Sequence, residues 1–165
     1  MNRPSIATWR PATTFILISG LVIILVSLVI SYVVTNFKPT VAVRGGSAVY
    51  HLWLADTESE RKQGLSGVQS LPPGGGLLMK FDEDNTHGIW MKDMLLPLDI
   101  VWLNKKKEVV YIVKNASPEL STDTVFAPKD PARYVIELAA GSAEKAALKK
   151  GTVMTFDEND QGGIW

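Results

Sequence analysis

The chain has 165 residues, no cysteine, and 17 Lys+Arg against 17 Asp+Glu, a formal net charge of +0 at pH 7. Without cysteine there are no disulfides, no thiolate zinc centre and no cysteine nucleophile. The balanced charge supplies no global field to draw in nucleic acid, and no nucleic-acid partner is expected. The 46% hydrophobic content is a little high for a globular protein, and most of the excess sits in one block near the N-terminus.

That block, Phe15 to Val34, reads FILISGLVIILVSLVISYVV without a charge. At ~1.5 Å per residue it spans about 30 Å, the thickness of a bilayer's hydrocarbon core. A cleaved signal peptide has a shorter apolar region, about 7–15 residues, ending in a small-x-small site. Here the run is longer and exits through Tyr32, Thr35, Asn36 and Phe37, so a retained signal-anchor is expected, with the lipid bilayer as its partner. Arg3 and Arg10 before the span nearly balance Lys38 and Arg44 after it. Orientation therefore follows the usual behaviour of a first helix, N-terminus inside and domain extracytoplasmic.

Chain organisation then reads as a tail over 1–14, a transmembrane anchor over 15–35, a linker over 36–46, a β domain over 47–157 and a flexible tail over 158–165. Ser47 to Leu54 suits a strand apolar on both faces. Thr57 and Glu60 have capping-box spacing for a short helix that Gly64 ends. Pro72 to Gly76 is a turn, Leu77 to Phe81 a strand and Asp82 to Asn85 an acidic turn. Ile89 to Met91 and Leu98 to Leu103 read as strands, and Asn104 to Lys107 as a hairpin turn into the strand Glu108 to Val113. A polar loop from Asn115 to Pro131 leads to the strand Arg133 to Leu138. A helix over Ser142 to Leu148, capped by Ser142, and a last strand over Thr152 to Phe156 follow. Short strands with two small helices imply a mainly β domain, a compact antiparallel β-sandwich or barrel.

No GxSxG elbow, HExxH or P-loop signature is present. Asp82, Asp84 and Thr86 mimic the start of an EF-hand loop, but His87 stands where its glycine belongs and Asp93 where its bidentate glutamate belongs. No metal and no cofactor is expected. His87 sits in a polar loop beside Trp90, Met91, Lys92 and Asp93, where an imidazole is placed to donate to a ligand. Asp99 and Glu137 each interrupt an otherwise apolar strand, and a carboxylate there is costly to bury without a partner. Candidate partners for Asp99 are Arg61, Lys92 and Arg133.

Leu54-Ala55-Asp56-Thr57, Glu60-Arg61 with Gln63-Gly64-Leu65, and Leu77 to Phe81 resemble the opening blocks of the DUF192 (UPF0127) family. His87 with Trp90 to Met94, and Pro97 to Leu103, resemble its central signature. Ala132 to Leu138 with Ala140-Gly141, then Lys150-Gly151, resemble its closing block. The resemblance covers nearly all of Tyr50 to Phe156. It implies a compact, mainly β domain, usually exported or membrane-tethered, and supplies no established activity. Ser66 departs from the methionine common after the Gly-Leu pair.

Three functional classes are consistent with these residues. The first is a binding module in which Arg61, His87, Trp90, Lys92, Asp93, Asp99, Arg133 and Glu137 are candidate ligand contacts for a polar small molecule, glycan or peptide of the cell envelope. The second is a hydrolase or transferase using Asp99 with Glu137 or Asp93 as an acid/base pair. The third is an envelope scaffold, which would present a large exposed apolar patch.

Overall fold

A computed structural model of the chain describes residues 11–36, 39–120, 124–160 and 162–164. The chain forms two compact units, Met1–Lys38 and Pro39–Trp165. In the first, the apolar run forms one helix, α1 (Pro11–Asn36), of 26 residues. Its described side chains run from Ile18 to Ser31; Arg3 and Arg10, on which the orientation expectation rests, lie outside the described residues. Among the described residues no helix is long and apolar enough to cross a membrane, so the transmembrane expectation passes to the functional proposal below.

The second unit is mainly β. Its elements are β1 (Pro39–Gly45), β2 (Ala48–Ala55), α2 (Glu58–Gln63), β3 (Gly75–Asn85), β4 (Ile89–Trp90), β5 (Leu98–Leu103), β6 (Val109–Ala116), β7 (Val125–Phe126), β8 (Ala132–Ala139), α3 (Ser142–Lys145) and β9 (Gly163–Ile164). Seven strands form one sheet in the order β6-β5-β8-β3-β2-β1-β9, and β4 pairs with β7 in a second, two-stranded sheet. The sheet does not close into a barrel among the described residues. Nor is it wholly antiparallel, because β2 and β3 run parallel, with His51 opposite Gly75 and Ala55 opposite Met79. Parallel neighbours need a crossover. Here that crossover carries α2 and the 64–74 loop, and Leu65 within it packs against the sheet among Leu77 and Met79.

Both faces of the central sheet are covered, which explains why β5 is buried at all six positions and carries no polar alternation. One face holds Val43, Leu52, Leu78, Val101, Ile136 and Leu138 against Ala143, Leu148, Met154 and Phe156. The other holds Leu77, Met79, Ile100, Trp102 and Val135 against Leu65, Ile89, Met91 and Met94.

Several local expectations differ from the structure. Residues 39–45, read as linker, form β1, joined to β2 by a tight turn at Gly46 and Ser47. Gly46 has φ +57, and a Cβ there would overlap the Ala146 carbonyl, so glycine is required. β2 exposes Val49 and His51 in place of burying both faces. α3 is shorter than the helix read over 142–148; its N-cap is Gly141, in the left-handed conformation, without a side-chain cap bond, so Ser142 does not cap it. The 115–131 loop contains β7, and 152–156 makes isolated bridges, Arg44 to Thr155 and Glu108 to Val153. In the tail, Glu158 pairs with Lys80 at 3.4 Å and Lys107 at 3.3 Å.

Candidate functional site

Glu137 lies in β8 opposite Leu77 of β3 and Ile100 of β5. Its side chain therefore projects from the sheet face covered by α2, among apolar neighbours, and the residue is only 3% exposed. Oε2 has no hydrogen-bond partner, and the Leu65 backbone amide is the hydrogen bond that the carboxyl does receive. Burial pushes the carboxyl up to about 7, with the Leu65 amide pulling the other way. The carboxylate that the sequence marks as needing a partner thus has no cation beside it among the described residues.

Above the carboxyl, the chain leaves α2 at Gly64, whose φ of 53 and ψ of −136 define a backbone region open essentially to glycine. A Cβ at Gly64 would stand 3.6 Å from Glu137 Oε2 and 3.5 Å from Met79 Cε. The expected capping box holds the start of α2. Thr57 accepts from the Glu60 amide at 3.2 Å, while Glu60 accepts from the Thr57 amide at 3.1 Å. Arg61 anchors the helix to β3. Its Nη1 donates to the Asp56 carbonyl and, at 2.7 Å, to the Lys80 carbonyl. Its guanidinium also lies 5.1 Å from the Phe81 ring centroid and 3.9 Å from Asp82.

Together these elements enclose a pocket of about 320 Å³ with Glu137 in its wall. Leu65, Met79, Phe81, Ile89 and Met94 supply apolar lining, and Glu58, Arg61, Lys62, Gly64, Ser66 and Trp90 are among the other residues that line it. Phe81 stacks on His87 with ring centroids 3.6 Å apart. His87 Nε2 is 3.0 Å from the Glu83 carbonyl, and its own carbonyl accepts from Trp102 Nε1 at 2.8 Å. His87 thus backs the Phe81 wall and does not line the pocket. Trp90 is 43% exposed and borders an adjoining hollow lined by Lys62, Ser66, Lys92 and Asp93. Lys92 Nζ is 6.0 Å from the Trp90 ring centroid.

The structure therefore brings together Arg61, Trp90 and Glu137, sets His87 behind them, and places Lys92 and Asp93 in the neighbouring hollow. Asp99 and Arg133 are elsewhere. Asp99 lies opposite Leu138, on the other sheet face from Glu137. Its Oδ1 accepts from the Asn115 amide at 3.0 Å and its Oδ2 from the Ala143 amide at 2.8 Å. Backbone amides, and none of Arg61, Lys92 or Arg133, satisfy it. Arg133 Nε donates to Asp84 Oδ1 at 2.7 Å. An acid/base pair of Asp99 with Glu137 is accordingly ruled out by the sheet between them. Glu58, Lys62, Gly64, Leu65, Ser66, Met79, Phe81 and Met94 were not legible as pocket residues, because they meet only in the fold: the first five through the β2–β3 crossover, Met79 and Phe81 through β3 beside β8, and Met94 through the β4–β5 connection. Among the described residues no group of three or more His, Asp or Glu is placed to hold a metal.

The pattern that defines DUF192, described as an uncharacterized ACR, matches residues 40–156. A UPF0127 protein of Thermococcus gammatolerans is 28% identical over 111 residues, 67% of this chain and 69% of that protein. A crystal structure of a proposed transcription regulator from Sinorhizobium meliloti 1021 is similar, with a TM-score of 0.67 and 28% identity, covering 72% of this chain and 95% of that one. A protein of unknown function from Novosphingobium aromaticivorans has a TM-score of 0.64 and 27% identity, covering 70% and 83% of the two chains. The chain belongs to the DUF192 family.

Proposed function

We propose that this member of DUF192 is a membrane-tethered, extracytoplasmic binding module whose pocket beneath α2 takes a compact ligand. One observation carries the binding reading: a buried carboxyl with an unpartnered oxygen lines an otherwise mostly apolar pocket. An unsatisfied buried acceptor costs about 1–3 kcal/mol, and a ligand that donates to it recovers that cost. A concave apolar site with few convergent polar groups is the usual form of a small-molecule site. Hydrolysis by paired carboxylates has less support, since Glu137 shares its pocket with no second buried carboxylate among the described residues.

The test is a fragment screen on the full chain in nanodiscs, read by ¹³C-methyl NMR of its methionines. Fragments that shift Met79 and Met94 while sparing Met154 are expected. A library that moves neither pocket methionine overturns the binding reading.

Tethering is supported by the 20-residue uncharged run, which lies within α1. Within α1, Ile18, Leu21, Ile24, Leu28 and Ile30 are each more than half exposed, and apolar surface on that scale calls for a non-aqueous covering. The full chain should stay with membranes through an alkaline wash, and a chain lacking 1–38 should not. Recovery of the full chain in the soluble fraction would refute the tether. Protease cleavage at the Gly74 turn in intact cells tests the orientation; cleavage only after lysis reverses it.

A further inference from the structure

We propose that the ligand of the Glu137 pocket is a compact organic cation, which seats a primary ammonium group on the Glu137 carboxylate and lays an apolar body against Met79, Phe81 and Met94. This assignment rests on the pocket reading above and adds the chemical class.

It follows from what the carboxyl lacks. An ionised carboxylate offers about four acceptor sites. The Leu65 amide uses one, and Oε2 receives none from the described residues. That open acceptor calls for a donor. It also calls for positive charge, because a buried carboxylate is stable when it is paired as well as hydrogen-bonded. Among the described residues none is paired with it to supply that charge. Arg61 lines the same pocket, but its guanidinium is held by the Asp56 and Lys80 carbonyls, by Asp82 and by the Phe81 face.

A metal cation is a poor fit, since Glu137 and the exposed Glu58 are the carboxylates of the pocket lining and no group of three acidic or histidine ligands is placed to hold a metal among the described residues. An ammonium needs only one such oxygen. The remainder of the wall tolerates a cation: thioethers of Met79 and Met94 are polarisable, and Trp90 presents an exposed aromatic ring at the mouth. The volume of about 320 Å³ lies at the small end of ligand sites, which limits the body to the size of one ring or a short alkyl chain.

The charged and titratable groups around the carboxyl set its pH behaviour. α2 contributes Glu58, Arg61 and Lys62 to the pocket. The neighbouring positions Leu77 and Met79 of β3, and Ile100 of β5, carry no charge. His87 lies behind Phe81, and Lys92 and Asp93 line the adjoining hollow. Lys62 is exposed, so water screens its repulsion toward a bound cation. With its carboxyl raised to about 7, Glu137 is about half protonated at pH 7, and seating an ammonium releases roughly half a proton.

The test uses the full chain in phosphatidylcholine nanodiscs with ¹³C-labelled methionine methyls. It is titrated with phenethylamine and with 2-phenylethanol at pH 6 and pH 8. Met79 and Met94 report on the pocket, while Met154, in the core on the opposite sheet face, is the internal control. The amine is expected to shift the two pocket methyls and spare Met154. It should bind about tenfold more tightly at pH 8, because only the ionised carboxylate is competent. In Glu137→Gln the amine should lose both its pH dependence and its advantage over the alcohol. Equal, pH-independent binding of amine and alcohol to the wild-type chain overturns the ammonium assignment and leaves the pocket reading standing. So does silence toward both compounds in a chain that responds to other fragments. Silence toward every fragment overturns both.

Discussion

Replacing Glu137 with glutamine removes a titration at nearly constant shape, and its effect on stability can be worked out with its sign. In the folded domain the carboxyl is raised to about 7 from an ordinary value of 4.5. Between those two values the folded state holds a proton that the unfolded state has released, so stability falls as pH rises through the window. The penalty is absent below pH 4.5 and complete above pH 7. A tenfold change in proton affinity is worth about 1.4 kcal/mol, which over this window gives a full penalty of ~3 kcal/mol. The assay is urea unfolding of wild type and Glu137→Gln across pH 4 to 8, on residues 39–165, which form their own compact unit. Glutamine brings its own desolvation, but that offset does not vary with pH. The stability difference between the two proteins should therefore shift by ~3 kcal/mol in favour of glutamine over this range. A difference that stays flat with pH would refute the reasoning, because it would mean that Glu137 titrates alike in folded and unfolded chains.

Asp99→Asn leaves two backbone amides, of Asn115 and Ala143, facing a group that can accept from only one of them well. A loss of ~2–4 kcal/mol is expected by urea unfolding at neutral pH, with the pocket methionines unmoved. Thr57→Ala removes the α2 capping box and should cost ~1 kcal/mol. Faster amide exchange at Arg61 and Gly64 would locate that loss in α2. Gly46→Ala forces a Cβ toward the Ala146 carbonyl at a positive φ, and should destabilise by about 2 kcal/mol or more.

How much was legible follows from whether the information is local. The capping box of α2, its end at Gly64 and the hairpin tip at 104–107 are read from residues a few positions apart. They form as the spacing implies, with a Lys107 amide to Asn104 carbonyl bond of 2.8 Å closing the tip. Asp99 and Glu137 look alike in sequence, each an acid inside an apolar strand. Their fates diverge through register: Asp99 faces Asn115 and the start of α3, and Glu137 faces the underside of a crossover. Nothing within either strand carries that distinction. The parallel pairing of β2 with β3 is likewise a long-range choice, and it determines which wall residues meet. β1 was hidden because its Val41 and Val43 alternation is short and bracketed by Pro39 and Gly45.

The central claim is that Glu137 is a buried carboxyl whose Oε2 receives no donor from the described residues. It is tested most directly by following the Glu137 side-chain ¹³C resonance through a pH titration of the free protein. A midpoint near 7 is predicted. A midpoint near the ordinary value of 4.5 would contradict it, since that would require the carboxyl to be already solvated or paired.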